Sequence, residues 1–132
     1  MKADNIVFLA EDDIDDQEML IEAMKQQDAS VEFIIANTGS KAFELLKNNP
    51  SQHIDLIILD YNLPEMSGAE ILMRLNEHGL YQNTPKIIWS TSNSPVYQKK
   101  CLEYGAHLYI VKPTGIAGIR NIAKELVELY SK

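Results

Sequence analysis

The sequence predicts an α/β domain built around a parallel β-sheet that is covered by helices on both faces. Five short apolar runs recur along the chain, stretches with helical spacing lie between and after them, and no repeat or linker interrupts the alternation. Strict alternation of strands and helices produces parallel sheets, because right-handed crossovers place the helices on the two faces.

The predicted strands are short runs rich in β-branched or aromatic residues, a composition typical of buried strands. They cover residues 6–10, 31–36, 56–59, 86–89 and 108–111. Each run is short enough for a strand and is followed within a few residues by polar or turn-forming positions. Five strands and five helices therefore fit into the chain.

Helix signals lie in the segments between the strands. Asp15 and Asp16 suit the positive end of a first helix. Ser67 and Glu70 have the spacing of a capping box, in which each side chain satisfies a backbone N–H at the helix start, and Gly79 is expected to end this third helix. The last helix has the clearest apolar face, formed by Ile119, Ile122, Ala123, Leu126 and Tyr130.

Length and charge limit the classes of function. A chain of 132 residues is large enough for one core, so we expect a single domain over residues 1–132 without a separate output domain. Its 12 Lys and Arg against 19 Asp and Glu give a net charge of −7, which repels phosphate backbones and anionic lipids. Nucleic acid and membrane are therefore not expected as direct partners.

The cellular compartment follows from the cysteine count and the apolar runs. Cys101 is the only cysteine and cannot form an internal disulfide. A signal sequence requires an apolar run near the N-terminus, and none precedes Asp4. The run over residues 6–10 is far too short to span a membrane. We expect a cytoplasmic protein.

Polar side chains follow four of the predicted strands, at the edge of the sheet where ligands of such folds bind. They are Glu11 and Asp12, then Asp60 and Asn62, then Ser90 and Thr91, and finally Lys112. If the first and third strands are neighbours, three of the carboxylates share a small space and need a cation between them. Mg²⁺ fits this chemistry best, since it takes oxygen ligands and is usually held by one or two carboxylates together with a phosphate.

In order and spacing these residues resemble the receiver domain of two-component response regulators over essentially the whole chain. The matching features are the acidic pair Glu11-Asp12, Asp60, the loop over residues 60–68 (DYNLPEMSG), Ser90, Tyr109 and the pair Lys112-Pro113. The resemblance implies a flavodoxin-like (βα)₅ doubly wound sheet with strand order 2-1-3-4-5. The short form also resembles chemotaxis-type and phytochrome-associated small response regulators.

The resemblance implies a role for each matching residue. Asp60 would be the phosphoacceptor that attacks a phosphohistidine of a sensor histidine kinase or histidine phosphotransfer domain. Asp12 and Asp60 would bind Mg²⁺ directly, Glu11 would act through a bound water, and the backbone carbonyl of Asn62 would complete the protein ligands. Lys112 would contact the transferred phosphoryl group.

The resemblance also implies a switch. Ser90 would move to donate a hydrogen bond to a phosphoryl oxygen, with Thr91 as the alternative hydroxyl. Tyr109 would swing inward to fill the vacated space, or it is an ordinary packed aromatic. Such a change is a population shift between two states. The Lys112-Pro113 bond is a candidate cis peptide.

Other prominent residues have structural interpretations. Asp13 and the acidic residues that follow it are expected to be solvated charges at a helix start. Trp89 is expected in the core, and Cys101 lacks an activating neighbour. The three histidines have no ligand-like spacing, so no zinc site is expected.

The favoured function is a stand-alone phosphorylation-switched binding module, not an enzyme. It would regulate a downstream target protein or relay phosphoryl groups to another histidine domain, as a monomer or as a phosphorylation-dependent homodimer. The basic residues between 86 and 132 suggest a face for an acidic partner or for another copy of the chain.

The alternative is a Mg²⁺-dependent aspartyl-phosphate phosphatase or phosphotransferase acting on small molecules. Asn62 argues against it, because haloacid-dehalogenase-type phosphatases place a proton-transferring aspartate there. A flavodoxin-like cofactor binder is not expected either, because phosphate binding after the first strand needs glycines and free backbone N–H groups, and this chain has the acidic pair there.

Overall fold

Five strands and five helices alternate along the chain, as the sequence predicts. The computed structural model describes residues 4–131, so residues 1–3 and 132 of the predicted domain lie outside the described range. The elements are β1 (Ile6–Ala10), α1 (Ile14–Gln27), β2 (Glu32–Ala36), α2 (Gly39–Asn48), β3 (Leu56–Asp60), α3 (Gly68–Glu77), β4 (Lys86–Ser90), α4 (Pro95–Glu103), β5 (Leu108–Val111) and α5 (Ile116–Tyr130). Strand β2 starts one residue later than predicted, and β3 and β4 each continue one residue further.

The strands form one parallel sheet in the order β2-β1-β3-β4-β5. This is the doubly wound, flavodoxin-like arrangement that was expected, so the predicted fold class is confirmed. Strands β3 and β4 are buried along their whole length, which explains why their sequences are apolar runs without polar alternation. The strand order reverses between β1 and β3, and their carboxyl ends meet at one edge of the sheet.

The two faces of the sheet pack against different helices. On one face Ile57 and Ile88 belong to a cluster with buried residues of α2, α3 and α4. On the other face Ile58 and Trp89 pack with α1 and α5. Trp89 is 2% exposed, which confirms its predicted place in the core. The α5 residues on this face include all five whose spacing predicted an apolar helix face.

Helix α3 shows how local sequence sets the element boundaries next to the sheet edge. The Glu70 N–H donates to Ser67 Oγ at 3.1 Å, so half of the predicted capping box forms. The other half does not, because the Glu70 carboxylate pairs with Arg74 at 2.9 Å instead. Gly79 follows the helix with φ +63°, a conformation that glycine adopts without strain.

Within residues 4–131 no helix is both long and apolar enough to cross a membrane.

Candidate functional site

Three carboxylates meet at the carboxyl ends of β1 and β3. One oxygen atom from each of Glu11, Asp12 and Asp60 lies within 4.8 Å of the others. They meet because Ala10 and Leu59 are direct partners in the parallel pairing, so the residues that follow them emerge side by side. Glu11 and Asp60 are buried and Asp12 is exposed, which leaves the cluster open to solvent on one side.

Hydrogen bonds hold Glu11, one of the two buried residues of this cluster, in place. The Glu11 N–H donates to the Ala36 carbonyl at 3.0 Å, and Glu11 Oε2 accepts from the Asp13 N–H at 3.1 Å. Gln17, a buried side chain of α1, donates to the Glu11 carbonyl and to Asn37 Oδ1. Gln17 was not predicted as a site residue, although a polar residue on the apolar face of a helix could have indicated a buried hydrogen-bonding role.

The loop after β3 is folded tightly around Asp60. The Asn62 N–H donates to Asp60 Oδ1 at 3.1 Å, and the Gly68 N–H donates to the Tyr61 carbonyl at 3.0 Å. A Cβ at Gly68 would lie 2.5 Å from the Asp60 carbonyl oxygen, so glycine is required where α3 begins against this strand. Asn62 itself is exposed.

Lys112 joins the carboxylates from the end of β5. Its Nζ donates to Glu11 Oε1 at 2.7 Å, to Asp16 Oδ2 at 2.9 Å and to Asp60 Oδ2 at 3.2 Å, and its side chain is only 10% exposed. The same ammonium lies 4.7 Å from the centroid of the Trp89 ring, a distance typical of a cation–π contact.

The electrostatics of the cluster favour a cation. Burial raises the pKa of the Glu11 carboxyl, because a desolvated carboxylate is costly. Burial alone would lower the pKa of Lys112, but its hydrogen bonds to Glu11 and Asp16 and the charge of Asp60 outweigh burial and raise it. One ammonium therefore faces several carboxylates. Hard carboxylate oxygens with negative charge in excess fit the donor preference of Mg²⁺.

Two predictions at this edge are wrong. Asp16 was expected to be a solvated helix charge, yet it contacts Lys112, because α1 begins at Ile14 and its first turn directs Asp16 toward the site and leaves Asp15 exposed. The Lys112-Pro113 bond was a candidate cis peptide and is trans. The trans form is the intrinsically favoured isomer, and Lys112 reaches its carboxylates from it.

A chain of hydrogen bonds connects Ser90 to Tyr109 through Ser92. Ser90 Oγ is fully buried and accepts from the Ser92 N–H at 3.1 Å, and the Ser92 carbonyl accepts from the Tyr109 hydroxyl at 2.8 Å. Tyr109 is half-buried beside the cluster that contains α4 residues. Thr91 is exposed. Hydrogen bonds thus link Ser90 to Tyr109, and the Thr91 side chain takes no part in them.

Comparison with known proteins shows the family. A family model described as response regulator receiver domain matches residues 7–124. The two-component response regulator ORR3 of Oryza sativa subsp. indica is 27% identical over 121 residues, which are 92% of this chain and 89% of that protein. ORR7 of the same rice is 33% identical over 92 residues, which are 70% of this chain and 44% of that protein. The chain thus matches less than half of ORR7 and most of ORR3.

Solved structures agree with the family model. The phosphorylated cyanobacterial phytochrome response regulator RcpA has a TM-score of 0.87 at 26% identity, covering 97% of this chain and 94% of that one. The CheY of the CheX-CheY-BeF3-Mg+2 complex from Borrelia burgdorferi has a TM-score of 0.79 at 25% identity, covering 97% and 90%.

Proposed function

The chain belongs to the response regulator receiver domain family, and from this premise we propose that it is a phosphorylation-switched binding module of a two-component system. One observation carries the proposal most directly. Buried Asp60 ends the central strand β3, with the Lys112 ammonium 3.2 Å away and two further carboxylates beside it. The domain would comprise residues 1–132 and act in the cytoplasm.

Asp60 acts as the nucleophile. One carboxylate oxygen attacks the phosphorus of a phosphohistidine, the P–N bond breaks, and its electron pair returns to the imidazole of the donor. The product is an acyl phosphate on Asp60. Transfer of this kind depends mainly on positioning and on neutralising charge at the phosphoryl oxygens. Lys112 supplies one positive charge at 3.2 Å from the carboxylate that reacts.

Mg²⁺ is the proposed cofactor, and when bound it supplies the remaining charge neutralisation at the phosphoryl oxygens. Asp12 and Asp60 would hold it directly, Glu11 through a water, and Asn62 through its backbone carbonyl. The close approach of the three carboxylates supports this assignment. So does the Borrelia burgdorferi relative, whose solved complex includes BeF3 and Mg.

Ser90 and Tyr109 carry the switch. Ser90 Oγ now accepts from the Ser92 N–H, so a turn of this hydroxyl toward a phosphoryl oxygen releases the Ser92 backbone. The Ser92 carbonyl holds the Tyr109 hydroxyl, so its release frees Tyr109 to move inward. The surface formed by α4, β5 and α5 changes as a result, and the phosphoryl group shifts the population toward that state.

The partners follow from this role. The phosphoryl donor is a sensor histidine kinase or a histidine phosphotransfer domain, and the output is a downstream target protein, with neither nucleic acid nor membrane as a direct partner. The chain acts as a monomer or as a phosphorylation-dependent homodimer. Lys99 and Lys100 are exposed on α4 and suit an acidic surface of a target or a second copy. Unchanged target binding and oligomeric state after reversal of both charges would contradict this docking face.

A small-molecule phosphatase is disfavoured. The second residue after Asp60 is Asn62, whose amide cannot transfer a proton to a leaving group or from a water. An enzyme of that kind would release phosphate over many cycles, whereas a receiver forms one acyl phosphate per chain.

Intact mass after incubation with acetyl phosphate tests the proposal. The wild type is expected to gain a single phosphoryl adduct only when Mg²⁺ is present, and Asp60→Asn is expected to gain none. Phosphate esters of small molecules should not be hydrolysed over repeated cycles. An adduct that persists in Asp60→Asn would contradict the acceptor, and sustained turnover of a phosphate ester would contradict the binding-module function.

A further inference from the structure

Lys112 shares its ammonium among three carboxylates, and one of them lies outside the metal cluster. Glu11 and Asp60 belong to that cluster, whereas Asp16 projects from the first turn of α1. The Lys112–Asp16 distance is 2.9 Å, shorter than the 3.2 Å between Lys112 and Asp60. The ammonium therefore lies closer to Asp16 on α1 than to the proposed phosphoacceptor.

The Lys112–Asp16 pair is sheltered enough to matter energetically. The Lys112 side chain is 10% exposed and that of Asp16 is 26% exposed. Opposite charges at this distance attract more strongly than a fully solvated pair, because less water screens them. An ammonium has three N–H donors, and in this structure all three are engaged by carboxylates. A phosphoryl oxygen can bind Lys112 only by displacing or sharing one of these acceptors.

We propose that Asp16 is a positioning residue for Lys112, one that holds the ammonium toward α1 in the unphosphorylated protein and competes with the phosphoryl group for it. The inference rests on the proposed function, since it assigns Lys112 to the phosphoryl group. Asp16 acts only through Lys112 and touches neither the phosphoryl group nor Mg²⁺.

Loss of the Asp16 charge has two effects of opposite sign. In the unphosphorylated protein the ammonium moves closer to Asp60 and opposes a divalent cation there, so the affinity for Mg²⁺ falls about threefold to tenfold. At saturating Mg²⁺, Lys112 is no longer shared with Asp16, so the affinity for beryllofluoride, a phosphoryl mimic at Asp60, rises by a similar factor.

The test compares Asp16→Asn with Asp15→Asn. Asparagine keeps the size of the side chain and removes one negative charge from the same helical turn in both variants. Asp15 is exposed and takes part in none of the ion pairs found within residues 4–131. Each variant is titrated with Mg²⁺ and then with beryllofluoride at saturating Mg²⁺. The fluorescence of Trp89, the only tryptophan, reports the position of the ammonium 4.7 Å from its ring centroid.

A double-mutant cycle with Lys112→Met shows whether Asp16 acts through Lys112. Its Mg²⁺ affinities are measured by isothermal titration calorimetry, because Lys112→Met lacks the ammonium that Trp89 reports. If Asp16 acts through Lys112, Asp16→Asn changes the Mg²⁺ affinity in the wild-type background and leaves it unchanged in the Lys112→Met background. A direct electrostatic effect of Asp16 on the cation would persist in both backgrounds and would overturn the inference.

The remaining outcomes are distinguishable. Opposite shifts in the two affinities for Asp16→Asn, with Asp15→Asn close to the wild type, support the positioning role. A parallel loss of both affinities would indicate a purely structural effect on α1 and would overturn it, as would equal affinities in the two variants. Failure of the wild type itself to bind Mg²⁺ and beryllofluoride would overturn the proposed function, and this inference with it.

Discussion

Tyr61 stacks on Tyr97, with ring centroids 4.4 Å apart and ring planes inclined by 9°. Tyr61 directly follows Asp60, and Tyr97 lies in the first turn of α4. The loop after the proposed phosphoacceptor is therefore joined to α4 by an aromatic pair. Burial raises the pKa of the Tyr61 hydroxyl, which favours its protonated form.

The stacked pair should show a measurable coupling. In a double-mutant cycle of Tyr61→Ala and Tyr97→Ala, we expect a coupling free energy of about 1 kcal/mol beyond the loss of buried area. Urea denaturation measures it. Val96→Ala is the matched control, because Val96 is 72% exposed on the same helix and should show no coupling to Tyr61→Ala. Strict additivity of the Tyr61 and Tyr97 variants would contradict the coupling.

Ser90→Ala should separate phosphorylation from switching. The variant keeps Asp60 and Lys112, so we expect the phosphoryl adduct to form, but it lacks the hydroxyl that would turn toward the phosphoryl group. Because alanine also lacks the oxygen that accepts from the Ser92 N–H, the Tyr109 signal in ring-labelled tyrosine NMR spectra should no longer respond when beryllofluoride and Mg²⁺ are added.

Thr91→Ala is the control for this experiment, since Thr91 is exposed and adjacent. It should respond like the wild type, and Tyr109→Phe identifies the signal. A lost response in Thr91→Ala together with a normal response in Ser90→Ala would make Thr91 the switch hydroxyl.

Gly39 should be intolerant of a side chain. It begins α2, and a Cβ there would lie 1.7 Å from the Met66 carbonyl oxygen in the loop after β3. Because backbone must shift, we expect Gly39→Ala to lower the free energy of unfolding by about 2 kcal/mol or more. Thermal or urea denaturation measures this loss. Gly115→Ala, at the start of α5 with nothing within 4 Å of its Cβ, should be nearly neutral, and equal effects of the two substitutions would contradict the expected clash.

Asp28 should make part of the stability dependent on acid pH. Burial raises its pKa, but hydrogen bonds from Tyr130, Asn5 and Ser30 outweigh burial and lower the pKa below its ordinary value of 3.8. A depressed carboxyl pKa stabilises the folded state above the unfolded pKa, and this contribution is lost as pH falls through the folded pKa. The Tyr130 hydroxyl donates to Asp28 Oδ2 at 3.0 Å.

We expect Tyr130→Phe to lower the free energy of unfolding by about 1 kcal/mol at neutral pH and by less at about pH 3. Urea denaturation at both pH values measures the difference. In an Asp28→Asn background the effect of Tyr130→Phe should not depend on pH in this range. If Tyr130→Phe lowered the free energy of unfolding equally at both pH values in the otherwise wild-type protein, the hydrogen bond to Asp28 would not be the source of the pH dependence.

The fold and the centre of the site could be predicted because they depend on local periodicity and on one geometric rule. Apolar runs identified the strands, and parallel strands bring their carboxyl ends to one edge, which places Asp60, Glu11 and Lys112 together. The strand order itself came from family resemblance, since periodicity does not determine which strands are neighbours.

Other features depend on how an element is rotated or on competition between partners. Asp16 and Gln17 lie next to each other on α1, and only the packed orientation of that helix shows that both face the site. Glu70 has the spacing of a capping box, but its carboxylate binds Arg74. The stack of Tyr61 on Tyr97 joins segments that are distant in sequence and leaves no periodic signal.

The central claim, that the Asp60 carboxylate accepts the phosphoryl group, is tested most directly by chemical trapping. The protein is incubated with acetyl phosphate and Mg²⁺ and treated with borohydride, which reduces an aspartyl phosphate to homoserine, and its peptides are sequenced by mass spectrometry. The proposed mechanism predicts homoserine at position 60, dependent on Mg²⁺ and absent from Asp60→Asn. Homoserine in place of Asp12, with an intact Asp60, would contradict it.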